Sequence, residues 1–306
     1  MDTPPQPAQA GDAARARRGP AAVLLLLLAA LALTLGACSR PGDKHGNQNA
    51  DANAATPAPS PAASPTPQTG AGKAADRGDF KVARHEGEDG LSEKERAELA
   101  DETKSLEEAA AELNKAFALP HDIFIGFDEC EEPNAFYDLD KKEVVICYQF
   151  VEDLYESYRG DYRSDDEIEE VVGNATTFVF FHEVGHALID AYDLPVTGRE
   201  EDAVDQLSVL VLADGSEEGD RTVLDAARTF SRATDAELDE LAFADEHSLD
   251  RQRFYNIICL LYGQNEKKFA SLVNDGTLPE GRAERCPDEY ARARKAWDSL
   301  LAPYVK

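Results

Sequence analysis

The chain has 306 residues and a formal net charge of −29, because 60 acidic residues outnumber 31 basic ones. A surface with this charge repels phosphate backbones, and the basic residues form no stripe or patch, so nucleic acid is excluded as a partner. The length allows one or two domains, and the composition differs sharply between the two ends of the chain.

The first 37 residues have the pattern of a secretory signal peptide. A basic run, RARR at 15–18, precedes the apolar stretch 21–35, and small residues follow directly before Cys38. The apolar stretch is too short to span a membrane comfortably and ends in a cleavage-like site. This favours a cleaved signal over a resident transmembrane helix.

The letters LGAC, which end at Cys38, resemble a bacterial lipobox. The resemblance implies cleavage before Cys38, lipidation of its thiol, and anchoring in a membrane of the cell envelope through acyl chains. Ser39 stands where an aspartate would be the usual signal for retention in the inner membrane. The outer membrane, facing the periplasm or the surface, is therefore expected if the source is Gram-negative. An ordinary signal peptide followed by a chance cysteine is the alternative.

Residues 38–79 begin at the lipidated cysteine and are rich in Ala, Pro, Asn, Ser and Gly, with almost no large apolar side chain. Such a segment cannot bury a core, so it is predicted to be a disordered tether. Residues 80–306 are predicted to form a single domain.

The domain opens with signals for one helix and a small sheet. Apolar residues at helical spacing over 92–117 predict an amphipathic helix that Pro120 ends. The alternation in HDIFIGFDEC predicts a strand, and NAFYD and EVVICYQF predict two further strands joined by the polar turn LDKK.

After residue 150 the signals are helical. Ser164 and Glu167 form a capping box in front of a long helix that runs to about Tyr192 and is ended by Pro195. Strands followed by helices indicate an α+β fold, in which a small N-terminal sheet precedes a mostly helical part. Further helices are predicted at 200–213, 219–232, 248–262, 265–274 and 288–302.

Four cysteines lie in the domain: Cys130, Cys147, Cys259 and Cys286. An even number in an exported chain favours disulfides, and four cysteines allow three connectivities. We favour Cys130–Cys147 and Cys259–Cys286, because each pair lies within one local region. Four free buried thiols are the alternative.

The long helix carries the clearest chemistry. Within its apolar run, HEVGH places His182 and His186 four residues apart, so both imidazoles lie on one helical face and can reach one ion. Zinc suits two neutral imidazoles and an oxygen ligand, and a tetrahedral site then keeps a fourth position for water. Glu183 is the expected general base for that water. Two core histidines beside a solvated glutamate are the alternative, but an unpaired buried charge is costly.

The third ligand is expected from GREEDAVDQ, residues 198–206. Glu201 and Asp205 lie four residues apart on a second predicted helix, so both can face the first. Glu201 is assigned to the metal, and Asp205 is assigned to accept the free ring N–H of His182. Glu200 and Asp202 compete for the ligand position, and a solvated acidic helix start is the alternative.

HEVGH followed by EDAVD resembles the glutamate-ligand zincins, the gluzincins typified by thermolysin. The upstream NAFYD is similar to the edge strand that lies against the substrate in thermolysin-like peptidases, which implies that Asn134 and Ala135 bind substrate. An exposed edge strand can also bind any extended peptide through main-chain hydrogen bonds. A plain hairpin strand is the alternative.

A closer resemblance extends over roughly residues 95–300. NAFYD…ICY, FFHEVGHALID, GREEDAVDQ and HSLDRQRFYNIICLLYG, in this order, resemble a family of bacterial metallopeptidases known mainly as a domain of unknown function. The motifs are specific in combination, although only HExxH is strong alone.

The sequence departs from thermolysin-like enzymes at two points. Fewer residues separate His186 from Glu201, and the glycine-flanked histidine motif that donates to the transition state is absent. By position, DEHSLDRQRFYN could replace it, with His247, Tyr255 and Arg253 as possible donors to the oxyanion. Each residue has an alternative role. His247 could simply precede a helix start, Tyr255 could be a core aromatic, and Arg253 could form a surface ion pair.

Together these features predict a secreted, lipid-anchored zinc metallopeptidase that acts on a peptide or protein substrate. The alternative is a zinc-containing binding or structural lipoprotein of the envelope. Its closed site would have four protein ligands and no bound water. Hydrolysis of an amide other than a peptide would use the same metal chemistry.

Overall fold

The computed structural model describes residues 73–83, 93–232 and 246–306. The predicted signal peptide, Cys38 and most of the predicted tether lie outside the described residues. Among the helices of the described part, none is long and apolar enough to cross a membrane.

Four strands form one sheet in the order β1-β2-β4-β3. β1 and β4 run parallel to β2, whereas β3 pairs antiparallel with β4 and lies at the edge of the sheet. In β2 the predicted face of Ile123, Ile125 and Phe127 is buried. The strands are β1 Phe80–Val82, β2 Ile123–Asp128, β3 Ala135–Asp138 and β4 Glu143–Cys147.

The helices follow the sheet in the chain, except for the first, and the prediction of an α+β fold is confirmed. They are α1 Glu93–Ala116, α2 Tyr148–Tyr158, α3 Asp165–Tyr192, α4 Glu200–Leu212, α5 Glu217–Ser231, α6 Asp250–Gln264, α7 Ala270–Asn274, α8 Glu280–Ala283 and α9 Cys286–Leu301.

Four elements differ from the sequence prediction, and one of them, the helix predicted at 265–274, begins only at Ala270. The strand predicted for EVVICYQF ends at Cys147, because Tyr148 begins α2, which buries Leu154 and Tyr158 against α3. The aromatic residues at the start of α2 favour a strand locally, and tertiary packing overrides that preference. The short strand β1 and the single turn α8 have too few residues to show a period.

Helix α3 is buried along most of its length. The Ser164 hydroxyl accepts the Glu167 backbone N–H at 3.3 Å, as the capping box predicts, and three acidic residues in the first turn favour the positive end of the helix dipole. The helices α2, α4 and α5 and the strands β3 and β4 all pack against α3. Because these elements cover most of α3, apolar residues occur around the helix and not on one face alone. This explains the long apolar run in its sequence.

The main core joins the sheet, α1 and the C-terminal helices. α1 buries Leu106, Ala110 and Leu113 in the same cluster as β2 and α3. Residues before β1 also pack here, since the Arg77 N–H donates to the Leu119 carbonyl at 2.7 Å. Residues directly before 80, which the sequence places in the tether, thus join the domain.

Both predicted disulfides are confirmed. Cys130–Cys147 joins the loop after β2 to the end of β4, and Cys259–Cys286 joins α6 to the start of α9.

Candidate metal and catalytic site

Gly185, in the middle of HEVGH, sets how closely α4 approaches α3. A Cβ at this position would lie 2.7 Å from Val204 Cγ1 and 2.9 Å from Val204 Cβ, closer than real side chains come. Only a glycine therefore permits the observed packing. The close approach brings the carboxylates of α4, on either side of Val204, over the histidines of α3.

His182, His186 and Glu201 converge on one point. Glu201 Oε2 lies 3.0 Å from His182 Nε2, and Glu201 Oε1 lies 3.3 Å from His186 Nε2. One ligand atom from each of the three residues lies within 4.8 Å of the others. The structure thus brings together the three residues that the sequence assigns to the metal.

The outer nitrogen of each imidazole faces a second carboxylate. His182 Nδ1 lies 2.8 Å from Asp205 Oδ1, and His186 Nδ1 lies 2.8 Å from Glu200 Oε1. An ionised carboxylate only accepts hydrogen bonds, so each Nδ1 carries the proton. Each Nε2 faces Glu201 and becomes a ligand once an ion displaces its proton, and an Nδ1 held by a carboxylate is the usual arrangement of metal-binding histidines. Asp205 lies where the sequence assigns it, and Glu200 supports His186.

Arg253 holds Asp205 in place. Its Nε donates to Asp205 Oδ2 and its Nη2 to Asp205 Oδ1, both at 2.8 Å, and the residue is only 9% exposed. The guanidinium also lies 4.1 Å from the ring centroid of Phe230. Such a bidentate pair is rigid, so a chain of contacts from Arg253 through Asp205 fixes the orientation of His182.

The charges in this cluster are strongly coupled. Burial raises the pKa of Glu201, but hydrogen bonds from His182, His186 and His247 outweigh burial and leave the pKa below its usual range. Burial lowers the pKa of His186, but hydrogen bonds to Glu201 and Glu200 outweigh it and raise the pKa to about 9. Without a metal, imidazolium protons therefore neutralise the carboxylates.

Glu183 lies beside this cluster and is 6% exposed. Burial raises the pKa of its carboxyl, and the neighbouring His182 and His186 oppose that effect without cancelling it. A carboxylate with a raised pKa accepts a proton more readily than an ordinary glutamate does, which suits a general base.

An open cleft of about 670 Å³, including its solvent-open space, begins at Glu183 and extends toward the N-terminal half of α3. Its polar end holds His182, Glu183, His247 and Arg253. The side chains of Phe150, Phe178, Val179 and Phe230 form its apolar wall. The remaining lining residues are Pro133, Asn134, Ala135, Ala175, Ala226 and Thr229.

Asn134 and Ala135 lie on the cleft at the edge of the sheet. The Asn134 carbonyl accepts the Cys147 N–H at 3.0 Å. Because pairing alternates along an antiparallel strand, the N–H and carbonyl of Ala135 face away from β4. The Asn134 side chain accepts the Ala135 N–H at 2.9 Å. The edge that the sequence assigns to substrate thus borders the cleft.

The structure brings His247 to the cleft but not Tyr255. His247 Nε2 lies 3.1 Å from Glu201 Oε2, and its side chain is 41% exposed. Arg199, directly before α4, donates to the carbonyl of His247 at 2.7 Å. Tyr255 packs against Phe254 with ring centroids 5.1 Å apart and is not among the cleft-lining residues.

Three hydrogen bonds of the site do not follow from the sequence. Arg199 donates to the His247 carbonyl, His186 Nδ1 bonds to Glu200, and Arg253 donates to Asp205. A buried aspartate requires a cation, so a partner for Asp205 could have been sought. The spacing of Asp205 and Arg253 follows no period, however, and several arginines of the chain could have filled the role.

A family model described as "Putative metallopeptidase" matches residues 86–301, more than two thirds of the chain. The chain belongs to this family. Searches of curated proteins and of solved structures found no match to the chain. Membership of a metallopeptidase family makes the group of His182, His186 and Glu201 the candidate metal centre.

The donors of this member of the metallopeptidase family fit a metal ion. Ligands of a tetrahedral zinc ion lie about 2.0–2.2 Å from the metal and so roughly 3.4 Å from one another. The separations of 3.0 Å from His182 Nε2 to Glu201 Oε2 and of 3.3 Å from His186 Nε2 to Glu201 Oε1 are close to that value. Binding a dication would displace the imidazolium protons.

Proposed function

We propose that the protein hydrolyses peptide bonds with a zinc ion held by His182, His186 and Glu201. The proposal rests on one observation. The Nε2 atoms of both histidines converge on the Glu201 carboxylate, while the two Nδ1 atoms contact the carboxylates of Asp205 and Glu200. Two nitrogens and one oxygen are the donor set of catalytic zinc, and three protein ligands keep one position open. When bound, zinc polarises the substrate carbonyl and lowers the pKa of water.

Glu183 is the general base in this proposal. Its carboxylate lines the cleft next to His182 and is buried enough for its pKa to be raised. It takes a proton from the attacking water and passes that proton to the nitrogen of the departing amine. The two transfers return Glu183 to its starting state.

His247 is the proposed donor to the oxyanion. Its imidazole is partly exposed in the cleft, and Arg199 fixes the backbone that carries it. A donor fixed before the reaction stabilises developing charge at little reorganisation cost. Tyr255 is left out of this role because it packs away from the cleft lining.

The proposed substrate is an extended peptide bound along β3. The outward carbonyl of Ala135 can accept a hydrogen bond from an added strand, and its N–H can donate to that strand in place of the Asn134 side chain, which makes few demands on sequence. The apolar wall of Phe150, Phe178, Val179 and Phe230 then receives a large apolar side chain next to the scissile bond.

The test compares wild type with Glu183→Gln and His186→Ala on a peptide library, with metal content measured for each. Glu183→Gln should lower kcat by about 10²–10⁴-fold while zinc is retained, because only the proton acceptor is lost. His186→Ala should lose both zinc and activity. Undiminished hydrolysis by Glu183→Gln would rule out the proposed mechanism.

We also propose that the protein is exported and anchored in the cell envelope through lipidated Cys38. The LGAC motif supports this, and two disulfides are typical of an oxidising compartment. The wild-type chain should incorporate a labelled fatty acid, and Cys38→Ser should abolish that incorporation. Equal labelling of both forms, or no labelling of wild type, would contradict lipid anchoring.

A further inference from the structure

A polar contact joins the edge hairpin to the metal-binding helix. The Tyr137 hydroxyl of β3 donates to Asp190 Oδ2 at 2.8 Å, and Lys142 Nζ donates to the same oxygen at 2.8 Å. Asp190 lies four residues after His186, so it is one turn further along α3 on a neighbouring part of the same face. The ion pair is partly shielded, since both side chains are about two thirds covered or more.

Lys142 occupies a backbone conformation that does not suit a lysine. Its φ of 56° lies in the left-handed region, at the last position of the turn between β3 and β4. Glycine adopts this region without strain, and asparagine tolerates it better than most other residues. The turn alone therefore does not account for a lysine, whereas the contact with Asp190 does.

The contact acts on the same strand that borders the cleft. Ala135 lines the cleft beside Glu183, and Tyr137 lies two residues further along β3 with its hydroxyl on Asp190. β3 and α3 pack against each other along this length. The strand β3 therefore lies beside α3 at two places. At the cleft, Ala135 lies beside Glu183, and two residues further along, Tyr137 contacts Asp190.

We propose that Lys142, Tyr137 and Asp190 are positioning residues that fix the separation between the edge strand β3 and the metal-binding helix α3. This inference rests on the proposed function, in which an extended peptide binds along β3. A peptide that is bonded to Ala135 must present its carbonyl to the metal centre and Glu183, so a small shift of the strand misaligns it. A short substrate that does not reach β3 does not depend on the strand.

The decisive variant is Lys142→Gly, because it removes the ammonium group and also relieves the left-handed strain. Its thermal stability should stay close to that of wild type, because relief of the left-handed strain offsets the loss of the contact with Asp190. For an extended peptide, KM should rise about five- to ten-fold, with kcat within about two-fold, because a charged hydrogen bond that positions the strand is lost. For a short substrate, both constants should stay at wild-type values. Lys142→Arg should restore the wild-type KM, since its guanidinium can reach Asp190.

Asp193→Gly is the matched control. Asp193 is the other non-glycine residue with positive φ among the described residues, at 49°, and it ends the same helix α3. Its substitution relieves the same kind of strain without touching the hairpin contact. Asp193→Gly should therefore leave KM unchanged for both substrates.

Three outcomes overturn the inference. An unchanged KM of Lys142→Gly for the extended peptide shows that the contact does not position the strand. An equal rise for the short substrate shows a general effect on the site. A wild-type protein that binds zinc but cleaves neither substrate refutes the proposed function, and the inference fails with it. The first two outcomes refute the inference alone, so the two kinds of failure can be told apart.

Discussion

Gly185 is the residue on which the meeting of α3 and α4 depends. Alanine favours a helix over glycine by about 1 kcal/mol, so helix propensity alone predicts that Gly185→Ala is stabilising. The added Cβ would lie 2.7 Å from Val204 Cγ1, however, and overpacking of this kind costs about 1–3 kcal/mol. The clash should outweigh the gain, lower the free energy of unfolding and move Glu201 away from the histidines.

This prediction is checked by denaturant unfolding and zinc titration of Gly185→Ala. Gly198→Ala is the control, because Gly198 lies in the loop between the same two helices and nothing lies within 4 Å of an added Cβ there. Zinc affinity should fall in Gly185→Ala and stay constant in Gly198→Ala. If both variants bind zinc equally well, the close packing at Gly185 does not position Glu201.

Val179 is the member of the apolar wall that lies one turn before Glu183 on α3. Val179→Phe should narrow the cleft and lower kcat/KM for peptides with a large apolar side chain by about 10-fold or more, relative to peptides with alanine there. Val179→Ala should shift the preference toward larger side chains. The measurement is a competition between the two peptides. An unchanged ratio in both variants would place the specificity pocket elsewhere.

At the scale of elements, Asp190 links the hairpin of β3 and β4 to α3 and makes stability depend on pH. Burial raises the pKa of Asp190, but hydrogen bonds from Lys142 and Tyr137, with the charge of His121 nearby, outweigh it and leave the pKa below the ordinary 3.8. A carboxyl with a lowered pKa stabilises the fold above its unfolded pKa and loses that contribution as pH falls through the folded pKa.

Asp190→Asn should therefore be less stable than wild type at pH 7, and the difference should shrink as pH falls below about 4. Urea unfolding of both proteins between pH 3 and 7 measures it. A difference that stays constant over this range would show that the ionised form of Asp190 is not what stabilises the fold.

The sequence predicts the elements in which a helical pattern repeats over several turns. α3 shows its start in the capping box at Ser164 and its buried character in the apolar run, and the four-residue spacings of HEVGH and of Glu201 with Asp205 follow from helix geometry. The sequence does not predict the short strand β1, because three residues are too few to show alternation. It also does not predict the helix α2, because the aromatic residues at its start favour a strand.

At the scale of the whole molecule, the cleft collects residues from separate parts of the chain: the β3 edge, α2, α3, α5 and the segment from His247 to Arg253. Helix α4 adds Glu201 to the adjoining metal centre. Local periodicity predicts which face of a helix a residue occupies, but not which distant segment packs against that face. The pairing of Arg253 with Asp205 and of Lys142 with Asp190 could therefore be found only from the folded structure. The local pairing of the cysteines could be predicted, because short loops close at a lower entropic cost.

The proposed metal centre requires Glu201, and not its neighbour Glu200, as the third ligand. The direct measurement is zinc affinity of wild type, Glu201→Gln and Glu200→Gln by competition with a chromophoric chelator. Glu200 is 45% exposed and contacts the outer nitrogen of His186, so Glu200→Gln should keep one zinc ion and weaken its binding by about 10-fold. Glu201→Gln should weaken binding far more, with no stoichiometric zinc left under the same conditions. Tight, stoichiometric binding by Glu201→Gln, or a greater loss in Glu200→Gln, would contradict the proposed metal centre.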